Sequence, residues 1–246
     1  MFGEKIKIIC KTMSPEEAWE HIVQKYHTYQ TSYWSGIDIA QWVGDDAKLH
    51  EMYAAKRLTY SQFDEYKRHF FNNVFPKEKE RIDKNTKRLQ EVAPKILNDA
   101  ADKLRPIMKE LDIHIPTAVI IKTTFGGNGG TTLDNNVIVL RITQHFQRDS
   151  SKTLPHEFLH LILDNFIGDI WRENKFEGDA AWYFANESLV EFFQDKILNI
   201  KYDEIDKFSE DYLTMKSIKT NLRGIMAKMI ADYQKAKASS GPNDSR

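Results

Sequence analysis

The chain has 246 residues, a formal net charge of −1 and an apolar fraction of 41%, which is typical of a globular protein long enough to bury a core. The near-neutral charge gives no electrostatic basis for binding nucleic acid, and no run approaches the roughly 18 apolar residues of a membrane span. Met1–Cys10 also lacks the apolar core of a signal peptide, and a single cysteine forms no internal disulfide. We therefore expect a cytoplasmic protein. Export without a cleaved signal stays an open alternative.

Residues 1–112 are predicted to form an aromatic-rich helical region. The run Ser14–Glu17 combines an N-cap serine, a proline at N1 and a glutamate at N3, and it predicts a helix that continues to about Gln30. The aromatic side chains that crowd residues 26–75 are expected to form a core. A charged helix is expected from about Lys77 to Glu110, with interruptions at Pro94 and Pro106.

The pattern changes near residue 115 to a mixture of strands and helices, which predicts a core region over 113–237. The β-branched runs at 117–124 and 136–142 predict strands, joined by the glycine-rich segment Phe125–Gly130 either as a β-hairpin or as neighbouring strands with a long loop. Helices are expected at about 151–168 and 180–198, followed by an amphipathic segment at 204–237 and a disordered tail at 238–246. The expected class is α+β, mainly helical.

The pentapeptide at 156–160 reads His-Glu-Phe-Leu-His. His156 and His160 are four residues apart and therefore lie on the same face of a helix, where both imidazoles can reach one metal ion. Glu157 can then reach a water molecule on that metal. Chance alone would give this pattern in only ~2% of chains of this length and composition. The spacing therefore predicts a metal site.

A zinc site of this kind needs a third protein ligand and an open position for water. Asp164 is too far along the helix, because ligands on three successive turns would span about 11 Å. We expect Asp164 to accept a hydrogen bond from the far nitrogen of a ligand histidine instead. Glu187 and Glu191 share one face of the next predicted helix, so Glu187 is the expected third ligand and Glu191 a further hydrogen-bond acceptor.

The motif at 156–160, followed by Asn-Glu-Ser-Leu-Val-Glu at 186–191, resembles the gluzincins, the thermolysin-like zinc peptidases, over about residues 117–198. The resemblance implies a zincin-like core in which a small β-sheet packs over the motif helix and its edge pairs with an extended substrate. It also implies that His156, His160 and Glu187 bind Zn²⁺, that Glu157 is the general base and that Glu191 orients a histidine.

Residues 178–183 are similar to the second motif of another zincin group, the aspzincins. This similarity would make Asp179 the third ligand in place of Glu187, and the two alternatives stay open at this point.

From the resemblance we expect a zinc-dependent metallopeptidase that acts on a peptide or protein. Many gluzincins stabilise the oxyanion with a downstream histidine, but no histidine follows His160 in this sequence. Tyr183, one turn before Glu187, is the expected substitute, with Tyr202 and Tyr212 as alternatives. Two competing hypotheses are a latent or non-catalytic zincin-fold protein that binds a partner, against which the intact Glu157 argues, and a helical binding module with a coincidental pentapeptide.

Overall fold

A computed structural model of the chain describes residues 4–31, 39–127, 129–133, 136–142, 146–173 and 179–200. These residues are mainly helical and include one small mixed β-sheet, so the predicted α+β class is confirmed. No helix in the described segments has the length and apolar character needed to cross a membrane. The predicted amphipathic segment at 204–237 and the predicted tail at 238–246 lie outside the described residues.

The described helices cover most of the predicted helical regions. In chain order they are α1 (Pro15–Thr31), α2 (Ala40–Val43), α3 (Ala47–Ala54), α4 (Tyr60–His69), α5 (Phe75–Glu110), α6 (Phe146–Arg148), α7 (Leu154–Glu173) and α8 (Asp179–Lys196). A π-helical turn at Phe70–Val74 joins α4 to α5, and a second at Asp149–Thr153 leads into α7.

Helix α1 begins where the capping residues predicted. The backbone N–H of Glu17 donates to Ser14 Oγ at 3.1 Å, and the backbone N–H of Ser14 donates to Glu17 Oε2 at 2.9 Å. These two bonds satisfy donors that the first turn of a helix leaves unpaired, and such a cap stabilises a helix by about 1 kcal/mol.

Helix α5 runs without a break through both of its prolines, so the predicted interruptions at Pro94 and Pro106 are wrong. A proline inside a helix costs about 3 kcal/mol. Burying one large apolar side chain contributes about 1.5–3 kcal/mol, and one face of α5 is buried along most of its length. The buried residues of this face include Ile82, Leu89, Leu97, Leu104 and Met108. Their combined burial exceeds the cost of two prolines.

The sheet has the strand order β1-β2-β4-β3, formed by β1 (Lys7–Thr12), β2 (Ala118–Thr124), β4 (Val137–Arg141) and β3 (Gly130–Leu133). The strands predicted at 117–124 and 136–142 are confirmed as β2 and β4. The hairpin alternative is wrong, since β2 and β4 are parallel neighbours that pair Ile121 with Ile138. The glycine-rich segment leads instead into β3, which pairs antiparallel with β4.

Strand β1 was not predicted, because residues 1–112 were expected to be mostly helical. It pairs in parallel with β2, with Lys7 opposite Ala118 and Thr12 opposite Thr123. A parallel pair needs a long crossover connection, and here more than a hundred residues, including α1–α5, separate the two strands.

The chain divides into two compact units that are each discontinuous in sequence. The first unit comprises residues 1–6, 97–117 and 158–246, and its buried apolar side chains include Leu104, Leu163 and Phe193. The second unit comprises residues 7–96 and 118–157 and contains the sheet. The domain boundaries at 112/113 and 237/238 stay predictions.

The second unit has an aromatic core, as the sequence predicted for residues 26–75. The described aromatic residues of that range that are buried in it are Tyr26, Trp42, Tyr53, Tyr66, Phe70 and Phe75. Tyr60 is the exception, since 93% of it is exposed. Edge-to-face contacts such as Tyr26 on Tyr53, at 5.6 Å between ring centroids, contribute to the packing of this core.

Candidate metal centre

The pentapeptide lies in the first two turns of α7, the helix predicted at about 151–168. The helix begins at Leu154 and has Pro155 in its first turn, where the missing proline N–H costs nothing. His156, Glu157 and His160 are 7%, 6% and 9% exposed, so all three polar side chains are buried. Burial of this kind is costly unless the side chains have polar partners or a metal.

His156, His160 and Glu187 form a group that could hold a metal ion. Their potential ligand atoms all lie within 4.8 Å of one another. His160 Nε2 is 3.2 Å from Glu187 Oε1, close to the roughly 3.3 Å that separates two ligands of a tetrahedral zinc ion. Two imidazoles and one carboxylate are also a donor set of catalytic zinc sites. By donor type and spacing, the three residues could therefore hold a zinc ion.

The other ring nitrogen of His160 contacts two polar side chains. His160 Nδ1 is 3.2 Å from Asn186 Oδ1 and 3.4 Å from Asp164 Oδ1, and Asn186 Nδ2 donates to the same Asp164 oxygen at 2.9 Å. Asn186 is 4% exposed. This arrangement links α7 to α8 through a closed set of three polar groups.

The hydrogen bonds of Asn186 determine which nitrogen of His160 has the proton. A carboxylate only accepts hydrogen bonds, so the amide nitrogen of Asn186 faces Asp164 and its oxygen faces His160. His160 Nδ1 must then donate, which leaves the lone pair of Nε2 on the side of Glu187. That tautomer is the one that binds a metal through Nε2.

The structure brings Asp164 Oδ1 to 3.4 Å from His160 Nδ1, and the role of Asp164 as an acceptor for a ligand histidine stays a prediction. Glu191 lies one turn after Glu187 on α8 and is half-buried. Its expected role in orienting a histidine stays a prediction. Asn186 was part of the motif but was given no role in the sequence analysis, although its position directly before Glu187 places it at the same end of α8.

The remaining predicted residues lie outside the parts of the chain whose side chains are described. Tyr183 and Asp179 belong to the backbone of α8, but their side chains are not among those described. Tyr202 and Tyr212 lie outside the described residues altogether. Their roles as oxyanion donor and alternative ligand stay predictions.

The Glu157 carboxylate lies against the backbone of β3. A Cβ atom on residue 130 would be 2.5 Å from Glu157 Cγ and 2.9 Å from its Oε1, so any larger residue there would force the Glu157 side chain to shift. Arg141 holds the same strand, since its Nη2 donates to the Gly130 carbonyl at 3.2 Å. This contact was not predicted from the sequence, in which Gly130 ends the glycine-rich segment between two predicted strands.

Two titratable residues of α1 belong to the electrostatic surroundings of Glu157 and Arg141. Burial lowers the pKa of His21 to about 3, helped by the positive charges of Lys25 and Arg141. Burial also lowers the pKa of Lys25 to about 8, with a contribution from Arg141, while the negative charge of Glu157 acts in the opposite direction. His21 is therefore neutral at pH 7, and its Nε2 has no hydrogen-bond partner among the described residues.

Comparisons with models of known protein families, with curated proteins and with solved structures found no match to this chain. The functional interpretation therefore depends on the geometry of these residues and on the chemistry that the geometry allows.

Proposed function

We propose that the protein is a zinc-dependent metallopeptidase with a zincin-like core, which hydrolyses peptide bonds with Glu157 as the general base. The observation that carries the proposal is the grouping of His156, His160 and Glu187 within 4.8 Å, with the buried Glu157 next to His156 on the same helix. A structural metal would not need a carboxylate at that position.

The proposed ligands are His156, His160 and Glu187, which leave a fourth position for water. Bound zinc would lower the pKa of that water towards 7 and polarise the carbonyl of the peptide bond. Asn186 and Asp164 support this assignment, because they keep the proton of His160 on Nδ1 and its Nε2 lone pair available.

Glu157 is the proposed general base. Its carboxylate takes a proton from the attacking water and then passes it to the amine that leaves. No described residue donates a hydrogen bond to this carboxylate, which leaves its oxygens available to a water molecule. The side chain is 6% exposed, and a site closed to bulk solvent strengthens the electrostatic interactions within it.

Strand β3 is the proposed binding edge for an extended peptide. It is the last strand in the order β1-β2-β4-β3, so among the described residues only β4 pairs with it. Its Gly130 lies against Glu157. A peptide that added to this edge through main-chain hydrogen bonds would pass beside the general base.

Tyr183 is the proposed oxyanion donor, as the sequence analysis expected. It precedes Glu187 by one turn of α8. A tyrosine hydroxyl donates a hydrogen bond to the developing negative charge in the place of a histidine.

The proposal is tested with Glu157→Gln, which keeps the shape of the side chain and removes its basicity. We expect the variant to retain stoichiometric zinc and to lose peptide hydrolysis by about 100-fold to 10,000-fold. Asp169→Asn, at an exposed position of the same helix, is the matched control and should keep wild-type activity. Unchanged hydrolysis of a peptide library by Glu157→Gln, or purified wild-type protein without stoichiometric zinc, would contradict the proposal.

A latent or non-catalytic zincin-fold protein that binds a partner is the second candidate. The burial of the pentapeptide favours it, because His156, Glu157 and His160 are each at most 9% exposed. Wild-type protein that binds stoichiometric zinc but cleaves no member of a peptide library would support this candidate against the first.

A further inference from the structure

Gly130 of β3 lies close to the Glu157 side chain. A Cβ atom on residue 130 would meet three atoms of Glu157 before any other atom, namely Cγ at 2.5 Å, Cδ at 2.8 Å and Oε1 at 2.9 Å. Real Cβ atoms essentially never approach another atom so closely. The missing side chain therefore creates the space that the carboxylate occupies.

The backbone conformation of Gly130 does not itself require glycine. Among the described residues, the glycines with a positive φ angle are Gly44, Gly126 and Gly129, and Gly130 is not one of them. An alanine at position 130 would therefore be free of the backbone strain that left-handed conformations impose. The three atoms nearest to such a Cβ all belong to Glu157, which makes Gly130→Ala a probe of that contact.

The backbone on the other side of this contact is held in place by Arg141. Its Nη2 donates to the Gly130 carbonyl at 3.2 Å, and its backbone N–H donates to the Gly129 carbonyl at 3.1 Å. Arg141 is 5% exposed, and Gly130 also pairs with Leu140 of β4. The start of β3 is thus held by backbone and side-chain hydrogen bonds on the side of β4.

We infer that Gly130 is a positioning residue for the proposed general base: the backbone of β3, held by Arg141, occupies the space beside Glu157 and sets where its carboxylate lies. No described residue holds that carboxylate by a hydrogen bond, and packing against Gly130 restricts it on the side of β3. The catalytic consequence rests on the proposed function, but the contact itself does not. A displaced base loses rate steeply, since a misplacement of about 1 Å lowers a rate by about 100-fold.

The contact is tested by a double-mutant cycle with Gly130→Ala and Glu157→Ala in the metal-free protein. Glu157→Ala removes the three atoms that a Cβ on residue 130 would meet. We expect Gly130→Ala to lower the urea midpoint when Glu157 is present and to leave it unchanged, or raise it, in the Glu157→Ala background. Equal midpoint shifts in the two backgrounds would overturn the inference.

The positioning role is tested by steady-state kinetics of Gly130→Ala on a peptide that the wild-type enzyme cleaves. We expect kcat to fall by about 100-fold while KM changes by less than about twofold and zinc content stays at the wild-type level. An unchanged kcat for Gly130→Ala would overturn the role.

The two tests separate this inference from the proposed function. If the wild-type protein cleaves no peptide but the midpoint shifts depend on Glu157, the contact stands and the peptidase proposal fails. If the wild-type protein cleaves peptides and Gly130→Ala cleaves them equally well, the peptidase proposal stands and the positioning role fails.

Discussion

His160 and Glu157 are three residues apart on α7, but the structure holds them in different ways. His160 Nδ1 is 3.2 Å from Asn186 Oδ1 and 3.4 Å from Asp164 Oδ1, so the orientation of its ring is fixed by polar contacts. Glu157 lies against the backbone of Gly130 and has no hydrogen-bond donor among the described residues. The proposed ligand side of the site, around His160, should therefore be sensitive to changes of polarity. The proposed base side, around Glu157, should be sensitive to changes of side-chain volume.

Loss of Glu187 should have the largest effect on the ligand side, because it removes one of three proposed zinc ligands. We expect Glu187→Ala to lose stoichiometric zinc after dialysis, as measured by atomic emission, while Asp179→Ala retains it. The reverse result would show that Asp179, and not Glu187, is the third ligand.

Asn186→Ala should weaken zinc binding without abolishing it. The variant removes the acceptor that keeps the proton of His160 on Nδ1, and the loss of such a partner lowers metal affinity by about 10-fold to 100-fold. Competition with a chelator of known affinity measures this change. Asn165→Ala, at an exposed position of α7, is the control, and an equal loss in both variants would contradict the role of Asn186.

His21→Leu should change the pH dependence of stability on the base side. The folded protein holds the pKa of His21 at about 3, below its ordinary value of 6.5. As the pH falls through 6.5, His21 therefore takes up a proton in the unfolded chain but stays neutral in the folded one. Its contribution to stability is present above pH 6.5 and is lost as the pH falls.

When the pH is lowered from about 7.5 to about 5.5, the free energy of unfolding of the wild-type protein should fall by about 1.4 kcal/mol more than that of His21→Leu. Urea denaturation of the two proteins at both pH values measures the difference. His27→Gln alters an exposed histidine of the same helix and should keep the wild-type dependence. Equal losses in the wild-type protein and His21→Leu would mean that His21 titrates normally.

Local patterns in the sequence predicted much of the helical structure and the residues His156, His160 and Glu187 that the structure groups together. The cap at Ser14 defined the start of α1, and the spacing of His156 and His160 placed both on one face of α7. Glu187 could be expected from its context, because a ligand carboxylate recurs at a fixed place in a known motif. Caps and candidate ligands of this kind can be predicted from residue types and their spacing.

The base side could not be predicted in the same way, because it depends on contacts between distant parts of the chain. β1 is a short run of mixed residues that becomes a strand only by pairing with β2. The contact of Gly130 with Glu157 involves backbone on one side, so the residue types do not predict it. The prolines of α5 led to a wrong prediction of helix interruptions for a related reason. The burial of apolar side chains along the helix outweighed the local effect of the prolines.

The most direct test of the central claim is a crystal structure of the zinc-loaded protein, with anomalous diffraction measured on both sides of the zinc absorption edge. The account predicts one anomalous peak at about 2.0–2.2 Å from a nitrogen of His156, a nitrogen of His160 and an oxygen of Glu187. A peak bound by other side chains, or no peak in crystals of protein shown to have taken up zinc, would contradict it.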